Sequence, residues 1–322
     1  MTAMTEQDLK LMVASSPHVH SPLSTQKIMG LVIAALVPAG VAGVHFMGWR
    51  ALAVIAVCVA ASVAAEYLWQ RATGQTVTVS DLSAAVTGLL LAYNLPPSIP
   101  LWMAACGAVF AIVVVKQFFG GIGGNVMNPA LAARAMMLIS WPVAMTSWSL
   151  DGVSTATPLA AMKVLSGAGA SAASAPSWST ADLLLGNVGG CIGETSAALL
   201  LLGGAFLVWQ EVISWRIPVV YTLTAALLAA LLRHGGGMMP LQEALTGGLL
   251  LGAIFMATDY TTSPMTARGQ VVFAVGCGVL TALIRRFGGY PEGVSYSILI
   301  MNATVPLIDR VTKPRILGEV RR

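Results

Sequence analysis

The segment Thr87-Gly88-Leu89-Leu90-Leu91 recurs late in the chain as Thr246-Gly247-Gly248-Leu249-Leu250-Leu251. At an offset of 159 residues, Gly248 stands where the first segment has Leu89. Two further short stretches recur in the same order and at similar spacing: Trp49-Arg50 as Trp215-Arg216, and Phe119-Gly120-Gly121 as Phe287-Gly288-Gly289. Three matching pairs in one order predict that the chain contains an internal repeat, with its two halves related to each other. The alternative is a chance similarity between apolar segments.

The composition excludes a soluble protein. Hydrophobic residues make up 57% of the 322-residue chain and charged residues only 9%, whereas a soluble domain carries about 25% charged residues. The basic residues behind the net charge of +4 are scattered between apolar runs, so nucleic acid is not an expected partner. We expect an all-α integral membrane protein in contact with membrane lipid, because a helix satisfies its own backbone hydrogen bonds in hydrocarbon.

Apolar runs divide the chain into candidate spans. They occupy residues 28–47, 51–69, 82–95, 101–115, 129–141, 195–209, 218–232, 241–258, 271–284 and 294–308. The third, fifth and eighth runs contain or adjoin Gly, Pro or Asn, and several are shorter than the ~20 residues that usually cross a bilayer. The pattern predicts about ten transmembrane helices, with a first five-helix repeat at 28–141 and a second at 191–309.

An odd number of spans in each half makes the second half enter the membrane from the opposite side. This is the inverted-repeat architecture of many transport folds, in which broken helices meet near the midplane. The distribution of Lys and Arg predicts that both termini are cytoplasmic. Residues 1–27 are then a cytoplasmic N-terminal segment without a cleavable signal peptide, 142–190 an extracytoplasmic loop, and 310–322 a basic cytoplasmic tail.

The extracytoplasmic loop contains the stretch Asp151-Gly152-Val153-Ser154-Thr155-Ala156-Thr157-Pro158-Leu159. It offers three hydroxyl groups among small residues, preceded by one carboxylate. Taken alone, the stretch indicates a turn in which the Asp and Ser side chains bond to nearby backbone.

The sequence gives no sign of a metal or nucleotide site. Each of the four cysteines stands alone in or beside an apolar run, which predicts small core residues rather than metal ligands. The Gly-rich run at 120–124 lacks the lysine and hydroxyl of a phosphate-binding P-loop, so close packing is the simpler interpretation.

Several stretches together resemble a known family. The stretch from Asp151 to Thr157 resembles the Asp-x-x-Ser/Thr-Gly-Ala-Thr signal at which flavin transferases attach FMN to a threonine. The chain as a whole resembles the D subunits of Rnf electron-transport complexes, whose close relatives are the B subunits of sodium-pumping NADH:quinone oxidoreductases. The stretches that carry this resemblance are Ser16-Pro17-His18, the run at 120–130 ending in Met127-Asn128-Pro129-Ala130, and those at 138–148, 255–259, 262–264 and 288–293.

The resemblance implies that FMN is attached to Thr157 through a phosphoester, with Asp151, Ser154, Thr155 and Ala156 completing the motif. Thr155 stands where the family usually has glycine and supplies a second candidate hydroxyl. A phosphate linkage leaves the redox chemistry of the isoalloxazine ring to its surroundings. The resemblance leaves room for a second, noncovalent flavin such as riboflavin among the helices.

The function implied by the resemblance is electron transfer in an ion-translocating ferredoxin:NAD oxidoreductase complex, moving Na+ or H+ across the bacterial inner membrane. The chain is expected to be one subunit without a complete active site of its own. Its expected partners are the other membrane and peripheral subunits and a flavin transferase. The alternatives are a quinone-reducing subunit of a sodium-translocating NADH dehydrogenase and a non-redox transporter with the same repeat.

Two acidic residues are candidates for an ion or charge-compensation path. Asp81 precedes the first repeat-related segment and Asp259 follows the second. A charged side chain near the membrane centre costs free energy, so one that is present there is a candidate for function. The alternatives are a helix cap at Asp81 and a solvated turn at Asp259.

Overall fold

The protein is a helical membrane protein, and the computed structural model describes residues 24–150, 153–154, 157–167, 179–186, 189–232, 240–289 and 293–313. In chain order the helices are α1 (Thr25–Met47), α2 (Trp49–Ala72), α3 (Ser83–Tyr93), α4 (Leu101–Phe110), α5 (Pro129–Ser140), α6 (Pro142–Met145), α7 (Pro158–Gly167), α8 (Thr180–Leu185), α9 (Ala197–Trp209), α10 (Arg216–Leu231), α11 (Pro240–Leu245), α12 (Leu249–Leu251), α13 (Ala267–Phe287) and α14 (Val294–Thr312). Short 3-10 turns lie at Val79–Asp81 and Ile192–Glu194. A two-residue antiparallel ladder joins β1 (Ser149–Leu150) to β2 (Val153–Ser154).

Four helical segments of the described chain are long and apolar enough to cross a membrane. Three are α1, α2 and α13, and the fourth is the continuous stretch Leu101–Phe119. That stretch consists of α4, a π-helical segment Ala111–Lys116 and a 3-10 turn Gln117–Phe119. Shorter apolar helices, among them α3, α5, α9 and α10, account for most of the remaining predicted runs, and the number of spans stays a prediction.

The two repeat-related segments are both short, and the second is interrupted. Helix α3 has 11 residues and ends before Asn94 and the prolines that follow. In the second half, Gly247 and Gly248 each have a φ of +67°, a left-handed conformation that separates α11 from α12 because glycine adopts it without steric cost. Helix α12 continues directly into a π-helical segment, Gly252–Met256.

The helices pack in corresponding groups within the two halves. Helix α2 contacts α3 and α4 in the first half, and α10 contacts α11 and α13 in the second. The halves meet where α1 packs on α9 and α5 packs on α14. Gly88 shows how closely α3 approaches α2, because a Cβ atom there would lie 2.7 Å from the Cys58 carbonyl oxygen.

Candidate functional site

The proposed flavin motif is described only in part. Asp151, Thr155 and Ala156 lie outside the described residues, and Ser154 is described by its backbone in β2. Thr157 is described and is buried, with 4% of its surface exposed. Its Oγ1 accepts a hydrogen bond of 3.2 Å from the backbone N–H of Ala160, so Thr157 caps the N-terminus of α7.

Helix α7 is docked against the second half of the protein. Leu159 packs directly on Gly247, because a Cβ atom on that glycine would collide with Leu159 Cδ1. Further along the helix, the Lys163 ammonium donates to the carbonyl oxygen of Gly288, and partial burial lowers the pKa of this lysine. The Thr157 end of α7 therefore lies beside the break between α11 and α12.

A guanidinium group binds carbonyl oxygens at the break between α11 and α12. Arg285 donates from Nη1 to the carbonyl oxygen of Glu243 at 2.7 Å. Its Nη2 donates to the carbonyl oxygens of Thr246 at 2.9 Å and Gly247 at 3.3 Å. A cation is favourable at a helix C-terminus because the last carbonyl groups have no helical partner. Arg285 thus stabilises the interrupted segment on which α7 rests.

The first half contains a buried ion pair. Lys116 Nζ lies 2.8 Å from Glu66 Oε1, and the two side chains are 4% and 1% exposed. The ammonium also donates to Ser83 Oγ at 2.6 Å. The same carboxylate oxygen accepts from Gln117 Nε2 at 2.7 Å and from Gln70 Nε2 at 3.4 Å, while Glu66 Oε2 has no hydrogen-bond partner among the described residues.

Sequence reasoning missed this ion pair, although a signal for it was present. Glu66 lies inside an apolar run and Lys116 at the end of another, and ionisable residues within membrane segments are candidates for function. Lys116 is the last residue of the π-helical segment, a feature that often occurs at functional sites. Which carboxylate the lysine would meet could not be predicted from local sequence.

Asp81 is connected to the ion pair through Ser83. Asp81 Oδ1 accepts from the backbone N–H of Ser83 at 2.8 Å and from Ser83 Oγ at 2.6 Å. The first contact satisfies a free N–H at the start of α3, as the capping alternative predicts. The second contact joins the carboxylate to the hydroxyl that Lys116 also contacts, so Asp81, Ser83, Lys116 and Glu66 form one chain of contacts.

Asp259 lies in a turn and is partly buried. Its Oδ2 accepts from the Thr261 hydroxyl at 3.0 Å and from the Thr262 hydroxyl at 3.2 Å, as the turn alternative predicts. The residue lies beyond the predicted apolar run at 241–258. Burial raises the pKa of its carboxyl, although hydrogen bonds from Thr261, Thr262 and Asn125 act in the opposite direction.

A cavity of about 320 Å³ lies between the Ser83–Lys116 contact and Asp259, all three of which line it. Its apolar wall includes Ile28, Val86, Leu90, Leu207, Ile254 and Phe255. Its polar wall includes Ser83, Lys116, Asn125, Asn128 and Asp259. A mostly apolar cavity of this volume with a few converging polar groups is typical of a small-molecule site.

A second polar cluster joins the short helices. Arg134 is buried and donates from Nη1 to Asn94 Oδ1 at 3.0 Å and to Ser295 Oγ at 3.2 Å. Cys191 contacts the same group, since Arg134 Nη2 lies 3.7 Å from its sulfur and its thiol donates to the Asn94 carbonyl oxygen. The prediction that the cysteines are apolar core residues is therefore incomplete for Cys191 and wrong for Cys106, which is exposed on α4.

Sequence comparison identifies the family. The sequence profile of the NQR2, RnfD, RnfE family matches residues 12–318. The chain belongs to the NQR2, RnfD, RnfE family. The predicted resemblance to this family is thereby confirmed, and the relatives below confirm the resemblance to Rnf D subunits.

Relatives within the NQR2, RnfD, RnfE family cover the chain almost end to end. The D subunit of the Na(+)-translocating ferredoxin:NAD(+) oxidoreductase complex of Acetobacterium woodii is 52% identical over 318 residues, which are 97% of this chain and 96% of that protein. The D subunit of the Proton-translocating ferredoxin:NAD(+) oxidoreductase complex of Clostridium ljungdahlii is 45% identical over 96% of each chain. The D subunit of the Ion-translocating oxidoreductase complex of Stutzerimonas stutzeri is 40% identical over 93% of this chain and 94% of that protein.

Proposed function

We infer that the chain is a membrane electron-transfer subunit of an ion-translocating ferredoxin:NAD oxidoreductase complex and carries FMN on Thr157. The observation that carries the subunit assignment is the 52% identity, over nearly the full length of both chains, to the D subunit of a complex with that activity in its name. The FMN attachment rests on the motif from Asp151 to Thr157. Its partners are the other membrane and peripheral subunits of the complex and the flavin transferase that attaches the FMN.

The surroundings of Thr157 fit a phosphoester. Thr157 is the N-cap of α7, and a phosphate on its Oγ would lie at the helix N-terminus. Free N–H groups and the helix dipole favour an anion at this end. FMN bound there supplies one-electron and two-electron redox chemistry, while Leu159 and Lys163 hold the helix that carries it beside the α11–α12 break.

The membrane topology is part of the proposal. Ten spans in two inverted five-helix repeats agree with the packing of α1 on α9 and of α5 on α14. In this arrangement both termini are cytoplasmic, α7 is on the outer side of the bacterial inner membrane, and the cavity opens on the inner side. The flavin and the mouth of the cavity are then on opposite sides of the membrane.

The cavity is a candidate site for a second, noncovalent flavin such as riboflavin. Its apolar wall suits a planar ring. The side-chain amides of Asn125 and Asn128 on its polar wall are hydrogen-bonded within the protein, Asn125 to the Met127 carbonyl oxygen and Asn128 to the start of α5 and to Met256. The Lys116 ammonium on the same wall is neutralised by Glu66, which is compatible with an uncharged ligand such as riboflavin. The apolar lining residues would bind the ring and exclude water from it.

The ion path in this proposal runs past Asp81 and Asp259, with the Glu66–Lys116 pair beside it.

We expect Asp259→Asn and Asp81→Asn to leave FMN attached but to lower the number of ions moved per electron, because each removes one charge that compensates an ion. Ion uptake and electron transfer would be measured together in vesicles that contain the whole complex. Asp182→Asn, on α8, is the matched control. Full coupling in both variants would leave capping and turn formation as the better account of these residues.

The covalent flavin is tested most directly by peptide mass spectrometry. The peptide that contains Thr157 should carry the mass of one FMN, and fragmentation should assign the adduct to Thr157 rather than to Thr155 or Ser154. An adduct on either of those residues would show that the residue assignment is wrong. Protein without covalent flavin would favour the non-redox transporter, and activity with quinone but not ferredoxin would favour the quinone-reducing relative.

A further inference from the structure

The hydroxyl group that accepts FMN in the proposed function is enclosed in the structure. Thr157 is 4% exposed and Leu159 is 8% exposed, and Pro158 between them is also buried. Thr157 Oγ1 is in addition held by the backbone N–H of Ala160. The acceptor oxygen is therefore covered by protein and engaged in a helix cap.

The enclosure is produced by the docking of α7. Leu159 packs on Gly247, where the positive φ and the contact with Leu159 Cδ1 leave no room for a side chain. Lys163 fixes the next turn of α7 through the Gly288 carbonyl oxygen, beyond the C-terminal end of α13. These two contacts connect α7 to two different parts of the second half.

The chemistry of attachment requires more space than this arrangement gives. With a flavin adenine dinucleotide as the donor, the Thr157 oxygen would attack the phosphorus on the flavin side and the phosphoanhydride bond would break. A nucleoside monophosphate leaves and the hydroxyl proton passes to a base of the transferase. Entering and leaving oxygens lie roughly in line in such a transfer, so the phosphorus needs access from both sides and the transferase must surround it.

We propose that FMN is attached while α7 is undocked from the α11–α12 break, and that docking of α7 afterwards encloses the phosphoester. This inference rests on the proposed function. An isolated helix of the length of α7, which has 10 residues, is marginal in water, so few contacts outside the helix decide whether it is docked. Leu159 and Lys163 are then the residues that control access of the transferase to Thr157.

The inference is tested by the rate of flavin attachment to the full-length protein. Flavin-free protein in lipid nanodiscs would be incubated with transferase and flavin adenine dinucleotide, and covalent flavin would be followed by in-gel fluorescence. We expect Leu159→Ala to raise the initial rate on the order of tenfold, because truncating a buried leucine removes apolar contacts that hold α7 in its docked position. Lys163→Met should raise it as well, and Leu159→Val should give a smaller increase.

The matched control is Leu185→Ala on α8, a leucine of the same predicted loop that is 66% exposed; its rate should equal that of the unchanged protein. Thermal unfolding of each variant would confirm that the membrane part is intact, and the milder Leu159→Val replaces Leu159→Ala if the latter does not fold. Equal rates for unchanged protein, Leu159→Val and Lys163→Met would overturn the proposed order. Absence of covalent flavin from every protein, including the unchanged one, would instead overturn the proposed function.

Discussion

Lys116→Met is expected to lower the free energy of unfolding by about 3–5 kcal/mol, because it leaves the Glu66 carboxylate buried without its cation. Both side chains are almost fully buried, so bulk water does not solvate the Glu66 carboxylate in place of the lost partner. The remaining donors, Gln117 and Gln70, are neutral amides and compensate the charge only in part. Reversible unfolding in mixed micelles, monitored by helix content, would measure the change.

The control for this prediction is the double variant Glu66→Met/Lys116→Met. Replacing a buried ion pair by apolar residues of similar volume is often neutral or stabilising, so we expect the double variant to recover most of the lost stability. If Lys116→Met alone is as stable as the unchanged protein, the pair is not formed as described. A double variant that is stable but moves no ions would separate the functional role of the pair from its structural role.

Thr157→Ala is expected to abolish covalent flavin and, with it, electron transfer through the complex. Alanine has no oxygen that can form the phosphoester, so no partial activity from attached FMN remains. Thr157→Ser keeps the hydroxyl and the capacity to cap α7, and should retain the flavin. In-gel fluorescence and ferredoxin-dependent NAD reduction in membranes would measure both effects.

The informative control here is Thr155→Ala, since Thr155 is the second candidate hydroxyl of the motif. It should keep its covalent flavin. Flavin that persists in Thr157→Ala and disappears in Thr155→Ala would move the attachment site by two residues and leave the rest of the proposed function in place.

The family and the helical membrane class could be predicted from the sequence because they depend on composition and on contiguous motifs. The two short repeat-related segments could also be predicted, since Gly247 and Gly248 mark the break directly. The Glu66–Lys116 pair could not, because it depends on which face of α2 meets the π-helical end of the α4 stretch. The docking of Leu159 on Gly247 depends in the same way on a contact between residues far apart in sequence.

The positions of Asp81 and Asp259 show a related limit. Sequence alone left each as either a functional carboxylate or a local cap or turn. The structure gives both residues the local hydrogen bonds of the alternatives, and it also connects Asp81 to Lys116 and places Asp259 on the wall of the cavity. These non-local contacts, of Asp81 to Lys116 through Ser83 and of Asp259 to the cavity, depend on three-dimensional proximity and could not be predicted from the sequence.

The duplicated Phe-Gly-Gly sequence has a consequence for how the two halves differ. Aligning Phe119 with Phe287 pairs Lys116 with Ile284, so the second copy has an aliphatic residue where the first has its buried cation. The second stretch has two cations, Arg285 and Arg286, of which Arg285 lies one position later than Lys116 in this alignment, and one position turns a helical side chain by about 100°. Lys116 therefore faces a carboxylate, whereas Arg285 faces the carbonyl oxygens of a broken helix. A displacement of one residue has thus given the two related segments unlike electrostatic roles: one cation neutralises a buried carboxylate, and the other binds the carbonyl groups that an interrupted helix leaves without helical partners.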